Sequence, residues 1–215
     1  MKPLVQTAVM MGLPVALFLA AAAHAETILD AVRADSPARV EALLHENADP
    51  NHRDKYGMTA LMAASNRGDM RSVRALLAAK ANVDLVGNNK WSALMLATYE
   101  GHAGVVRALL DAGADPSLRN DIEAPALMIA SFRGHAEILK MLIAKHADPN
   151  ARKNDNGTAL IWAAHEGHGK IVAMLLAAGA DVGAVNDGGK TSLAMARRQG
   201  HSDVEKLLLA AGAVK

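Results

Sequence analysis

Apolar and polar positions along this chain follow two nested periods. Short segments carry apolar residues at helical spacing, and the whole arrangement repeats every 33 residues. The tetrads Thr59-Ala60-Leu61-Met62, Ser92-Ala93-Leu94-Met95, Pro125-Ala126-Leu127-Met128, Thr158-Ala159-Leu160-Ile161 and Thr191-Ser192-Leu193-Ala194 keep that register without a slip. Nine residues after each tetrad begins stands a glycine: Gly68, Gly101, Gly134, Gly167 and Gly200. Eight residues later comes an aliphatic pair, from Leu76-Leu77 to Leu208-Leu209. In residues 87–119, Ser92 is placed to cap a helix running from Ala93 to about Glu100. Gly101 permits a tight turn, and Val105, Val106, Leu109 and Leu110 make one face of a second helix. Gly113 sits where that helix ends in a left-handed residue, and Asp115-Pro116 enforces an extended connection. The pattern predicts a helix–turn–helix with a projecting loop in every unit. Neither short helix can bury its apolar face alone, so the units must stack.

The order turn, T-A-L-M, A-A, G-H, V-V-x-L-L, G-A-D resembles the ankyrin repeat, whose usual tetrad is T-P-L-H. The resemblance runs from Glu26 to the C-terminus and implies an all-α solenoid of six units, at residues 26–53, 54–86, 87–119, 120–152, 153–185 and 186–215. The first is incomplete but keeps Ile28, Ala31, Val40, Leu43, Leu44 and Ala48-Asp49-Pro50-Asn51 in frame; the last, with no following loop, reads as a cap. Departures from the family pattern are informative. Met62, Met95, Met128, Ile161 and Ala194 replace the tetrad histidine, exchanging an inter-repeat hydrogen bond for apolar packing. Asn47, Lys80 and His146 stand at the helix-end position that favours glycine, where lysine and histidine each cost about 1 kcal/mol. Lys90 and Glu123 replace the turn glycine seen at Gly57 and Gly189, and the expectation is that those two loops are irregular.

Residues 1–25 stand outside the repeats. Lys2 gives a positive start, Ala8 to Ala23 is uncharged and mostly apolar, and Ala23-His24-Ala25 is a small-x-small cleavage site. That is the pattern of a secretory signal peptide, cleaved after Ala25. An uncleaved anchor is disfavoured, because the run falls short of about 18 residues and is broken by Gly12 and Pro14. With no cysteine there is neither a lipid-attachment site nor a disulfide, and a periplasmic product stabilised by packing alone is expected. The chain carries 23 basic and 22 acidic residues; without Lys2 the charges balance. A neutral surface lacks the basic footprint of nucleic-acid binding, and no basic amphipathic helix points to a membrane surface.

Candidate chemistry is sparse. His102, His135, His168 and His201 recur every 33 residues, but equivalent positions in stacked units lie about 8–10 Å apart. Metal–nitrogen bonds near 2 Å exclude one shared ion, so these are expected to bond backbone carbonyls. His165 and His168 are a closer pair, but two ligands alone make a weak site. Met62, Met95 and Met128, with Met195 nearby, form a thioether stack of a kind that can hold copper(I), although a methionine on a buried helix face normally fills core. There is no cysteine nucleophile, no G-x-S-x-G elbow and no Gly-rich phosphate loop. Asp155-Asn156-Gly157 and Asp187-Gly188-Gly189 are turn sequences without calcium-loop spacing. No catalysis and no cofactor are expected.

Five aromatic residues follow the leader: Tyr56, Trp91, Tyr99, Phe132 and Trp162. In the family this chain resembles, the loop before the tetrad and the two positions before the turn glycine line a concave face that contacts partners. That resemblance assigns Tyr56, Met58 and Trp91 to the loop positions. It assigns Tyr99 and Phe132, with a polar rim of Arg67, Glu100, Arg133, His165 and Glu166, to the second kind. Trp162 falls on a first helix and is assigned to packing. Rings where the core does not need them suggest an interface, since Tyr, Trp and Arg dominate binding energetics. The expected function is a monomeric periplasmic module that binds another protein. Copper handling by the methionine stack and a scaffold with no specific partner are the alternatives.

Overall fold

The computed structural model describes residues 26–214, and the expected leader, residues 1–25, lies outside them. Among the described residues, twelve helices form six pairs. They are α1 (Ile28–Arg33) with α2 (Pro37–His45), α3 (Ala60–Arg67) with α4 (Met70–Ala78), α5 (Ala93–Glu100) with α6 (Ala103–Asp111), α7 (Ala126–Arg133) with α8 (Ala136–Ala144), α9 (Ala159–Glu166) with α10 (Gly169–Ala177), and α11 (Ser192–Gln199) with α12 (Ser202–Ala210). The first helices start where the sequence places a cap. Thr59, Ser92, Thr158 and Thr191 accept a hydrogen bond from the backbone N–H three residues on, satisfying one of the orphan donors of the first turn. Pro125 holds the same position in the fourth unit and makes no side-chain cap. Each of these helices ends at its turn glycine in the left-handed region, at φ between 73° and 82°.

Two residue columns build the core. On the first helices, Ala31, Ala64, Ala97, Ala130, Ala163 and Ala196 are all fully buried, and such small side chains let neighbouring helix backbones approach closely. On the second helices, Leu43, Leu76, Leu109, Leu142, Leu175 and Leu208 occupy the equivalent buried line and hold neighbours further apart. From the second unit onward, first helices accordingly touch their neighbours more extensively than second helices do, which bends the stack toward the first-helix side. The last unit departs at its outer positions. Arg197 and Glu205 stand where earlier units carry Ser, Thr, Ala, Val or Leu, and they pair at 2.8 Å, giving that end a polar face.

Between pairs the chain makes a short hairpin. Asp54 N donates to the Met58 carbonyl and Gly57 N to the Asp54 carbonyl. The same two bonds recur in the hairpins ending at Trp91, Ala124, Gly157 and Lys190. The irregularity expected at Lys90 and Glu123 does not occur. Both adopt the left-handed backbone, at φ 58° and 61°, and complete the turn that Gly57 completes at 73°. Backbone bonds on either side fix the turn, so the residue there bears the strain without changing the geometry. Asn47, Lys80 and His146 do lie in the left-handed region, at φ 63°, 59° and 60°.

Neighbouring hairpins are stitched by one backbone bond each: Asn88 N to Tyr56 O, Asp121 N to Asn89 O, Asn154 N to Ile122 O and Asp187 N to Asp155 O. Below them, side-chain oxygens of Asn51, Asp84 and Asn150 accept the backbone N–H of Asn82, Asp115 and Asp181 in the next unit. Ser117 takes this position at the seam between the third and fourth units. It is too short to reach across, and a 40 Å³ cavity lined by Ser117 and Asp148 opens there.

Candidate protein-binding groove

The hairpins and the first helices together wall a groove on the first-helix side. The backbone of its floor is held by histidine. The Nε2–H of His102, His135, His168 and His201 donates to the carbonyl oxygen of Asn66, Tyr99, Phe132 and His165, at 3.1, 3.3, 3.1 and 3.0 Å. This is the carbonyl-bonding role expected from their spacing. It also explains the turn glycines, since a Cβ at Gly101 would lie 2.7 Å from the His135 ring. The acceptors belong to the residues two positions before those glycines, where Tyr99 and Phe132 project.

The groove has three compartments in a row. The first, about 230 Å³, is lined by Tyr56, Met58, Met62, Trp91 and Leu96 with the backbone-rich stretch 87–89. The middle one, about 190 Å³, lies among Trp91, Tyr99, Ile122, Met128, Phe132 and Trp162, and its wall is almost wholly apolar. The third, about 220 Å³, is bounded by Ile161, Trp162, His165 and Met195 and by the tips at Asp155 and Asn186. Trp91 therefore divides the first compartment from the second, and Trp162 the second from the third. Trp91 meets Tyr99 edge to face at 5.7 Å, and Trp162 meets Phe132 likewise at 5.1 Å. Tyr99 and Phe132 remain 36% and 37% exposed, and Tyr56 is 62% exposed.

Trp162 thus lines the groove as well as packing against the core, a dual role that position alone did not reveal. Ile122 and Lys153 also line it and were not singled out from the sequence, while Met195, placed from the sequence only beside the methionine stack, lines the third compartment. A readable signal exists for the opening. The position just before the tetrad holds Met58 and Trp91 in the second and third units but Ala124 and Gly157 in the next two, so space is left between two tryptophans.

Charges decorate the rings. Arg133 lies over Tyr99 at 4.3 Å, with Nε donating to the Tyr99 carbonyl at 3.0 Å. Lys55 sits over Tyr56 and Lys153 over Trp162, at 5.0 and 5.5 Å. Lys153 also pairs with Asp155 at 2.6 Å. Partial burial pushes the Asp155 carboxyl up, but the Lys153 ammonium and the Gly157 N–H outweigh it and hold the group below its ordinary value. Asp54 at the first tip behaves alike. Burial raises it, while Arg33 at 2.6 Å and the N–H groups of Met58 and Tyr56 bring it down further. On the rim, Arg67 pairs with Asp35 at 3.0 Å, and Glu100 is exposed. His165 donates from Nδ1 to Glu166 at 2.7 Å, and its Nε2 accepts from Gln199 Nε2 at 2.6 Å. His165 and His168 point to different partners, and no cluster of three or more His, Cys, Asp or Glu able to hold a metal occurs among the described residues. Met62, Met95 and Met128 are 1%, 1% and 3% exposed, so the thioether stack fills core.

Comparison with protein families matches the family described as ankyrin repeats (3 copies) over residues 28–120 and 127–215, and ankyrin repeats (many copies) over residues 101–143. The chain is an ankyrin-repeat protein. A comparison with curated proteins found no match. Ankyrin repeats generally mediate protein–protein interaction, and the family is typically non-catalytic. No helix among the described residues is long and apolar enough to cross a membrane.

Proposed function

We propose that this ankyrin-repeat protein is a periplasmic binding module that captures another protein in the three-compartment groove, as a monomer and without catalysis. The observation that carries the reading is the run Trp91, Tyr99, Phe132 and Trp162. These rings come from three consecutive units and wall one cleft, where Tyr99 and Phe132 remain 36% and 37% exposed. Partly exposed aromatic anchors beside an apolar pocket, with Arg133 at the rim, match the composition of binding hot spots. Export rests on residues 1–25, with mature protein beginning at Glu26.

Affinity capture from a periplasmic extract, comparing the wild type with Y99A/F132A, tests the groove. A partner held by the wild type and lost by a still-folded variant supports it; equal capture by both overturns it. Intact mass decides export, and residues 1–25 retained in a membrane fraction would remove the periplasmic part of the reading.

A further inference from the structure

The groove's dimensions and rim charges say what kind of partner segment it takes. The middle compartment, at about 190 Å³, falls below the range of roughly 300–1,000 Å³ that small-molecule sites occupy. It is close to the roughly 150 Å³ that accommodates a single benzene ring. One bulky side chain fills it. Compartments in a row, parted by single tryptophans, suit successive side chains of one extended strand rather than a rounded surface.

The rim fixes the charge. One repeat position, just before the turn glycine, reads Arg67, Glu100, Arg133 and Glu166 along the stack. The outer two are occupied internally, Arg67 by Asp35 and Glu166 by His165. The inner two directly follow Tyr99 and Phe132, which line the middle compartment, and among the described residues neither takes part in an ion pair. Arg133 instead lies over the Tyr99 ring with Nε on a carbonyl, which leaves its terminal N–H groups for an incoming carboxylate. Neighbouring units are separated by about 8–10 Å, or about three residues of extended chain at roughly 3.3 Å each.

Resting on the groove reading above, we propose that the partner presents an extended segment with one aromatic or long aliphatic residue for the middle compartment. An acidic residue of that segment meets Arg133, and a basic residue about three positions away meets Glu100. The two outer compartments, unlike in their linings, hold the direction in which the segment lies, and the alternating rim then sets the order of its two charges, because exchanging them brings like charges together.

The test is selection of a random dodecapeptide display library on the full-length chain and, separately, on its E100R/R133E variant. Both substitutions are on exposed side chains, and matching circular dichroism and melting curves establish that the variant is folded. The expected result is a wild-type pool carrying a bulky apolar residue with an acid and a base at that spacing. The swapped protein should return the charges in reverse order, and each pool should bind the other protein about fivefold or more weakly. Identical pools from both proteins overturn the charge assignment. No enrichment at all overturns the extended segment and leaves the groove free for a folded partner. Peptides that bind F132A/W162A as tightly as the wild type overturn this proposal and the groove reading together.

Discussion

Replacing Gly101 with alanine separates two reasons for a glycine at the turn. The first is backbone strain. Gly101 sits at φ 82°, where an L-residue costs about 1–2 kcal/mol. The second is the neighbouring unit. A Cβ there would stand 2.7 Å from His135 Cε1 and 3.0 Å from Nε2, so the ring must shift and its 3.3 Å bond to the Tyr99 carbonyl is lost. A hydrogen bond of that kind contributes about 1 kcal/mol net. G101A should therefore destabilise by about 2–3 kcal/mol. Gly200 occupies the same repeat position at φ 78°, yet nothing lies within 4 Å of its added Cβ. G200A should cost the strain alone, about 1–2 kcal/mol. Urea unfolding followed by circular dichroism gives both values. A cycle with H135A isolates the clash, since G101A should cost about 1 kcal/mol less when the ring is absent. If G101A costs the same in both backgrounds, or G200A costs as much as G101A, the clamp does not explain the glycine.

Further outcomes follow from other positions. Y99A/F132A should lower the melting midpoint by only a few degrees, because partly exposed groups typically cost about 0.5 kcal/mol each, while W91A and W162A should cost more since both also pack on the core. H146G should raise the urea midpoint, because relief at φ 60° outweighs glycine's unfolded-state entropy of about 0.5–1 kcal/mol; a lower midpoint would contradict the strain assigned there. S117N should stabilise by about 1 kcal/mol by filling the 40 Å³ seam cavity and restoring the side-chain bond to the next unit, and an unchanged midpoint would count against it. Asp54 is depressed in the folded state, so its contribution is present above the ordinary value of 3.8 and lost as pH falls through the lower folded value. D54N should flatten the acid limb of a stability–pH profile, and an unaltered limb would remove Asp54 from the account.

The fold was legible because its determinants are local and repeated. Thr59, Ser92 and Thr158 mark helix starts, Gly68 and Gly101 mark ends, and the 33-residue register multiplies each weak signal. Lys90 and Glu123 misled because a turn's backbone is set by bonds that lie outside the residue in question, such as Asp121 N to Asn89 O across the seam. The groove was legible only in part. Tyr99 and Phe132 could be placed by repeat position, but Trp162 lines it because Ala124 leaves room beside it, and that is a property of two units at once. Likewise Arg133 shows its capacity for a partner only once its ring contact and its lack of a carboxylate among the described residues are seen together.

The histidine clamp has a consequence for how such a protein changes its target. Each imidazole grips the main chain of the residue that faces the groove, never its side chain: Asn66, Tyr99, Phe132 and His165 all offer the same carbonyl oxygen. Four unlike residues already satisfy one clamp. Mutational drift at these sites can therefore rewrite recognition while the seams stay closed, and a new specificity need not pass through an unstable ancestor. The groove is free to evolve because the architecture that holds it is indifferent to what it displays.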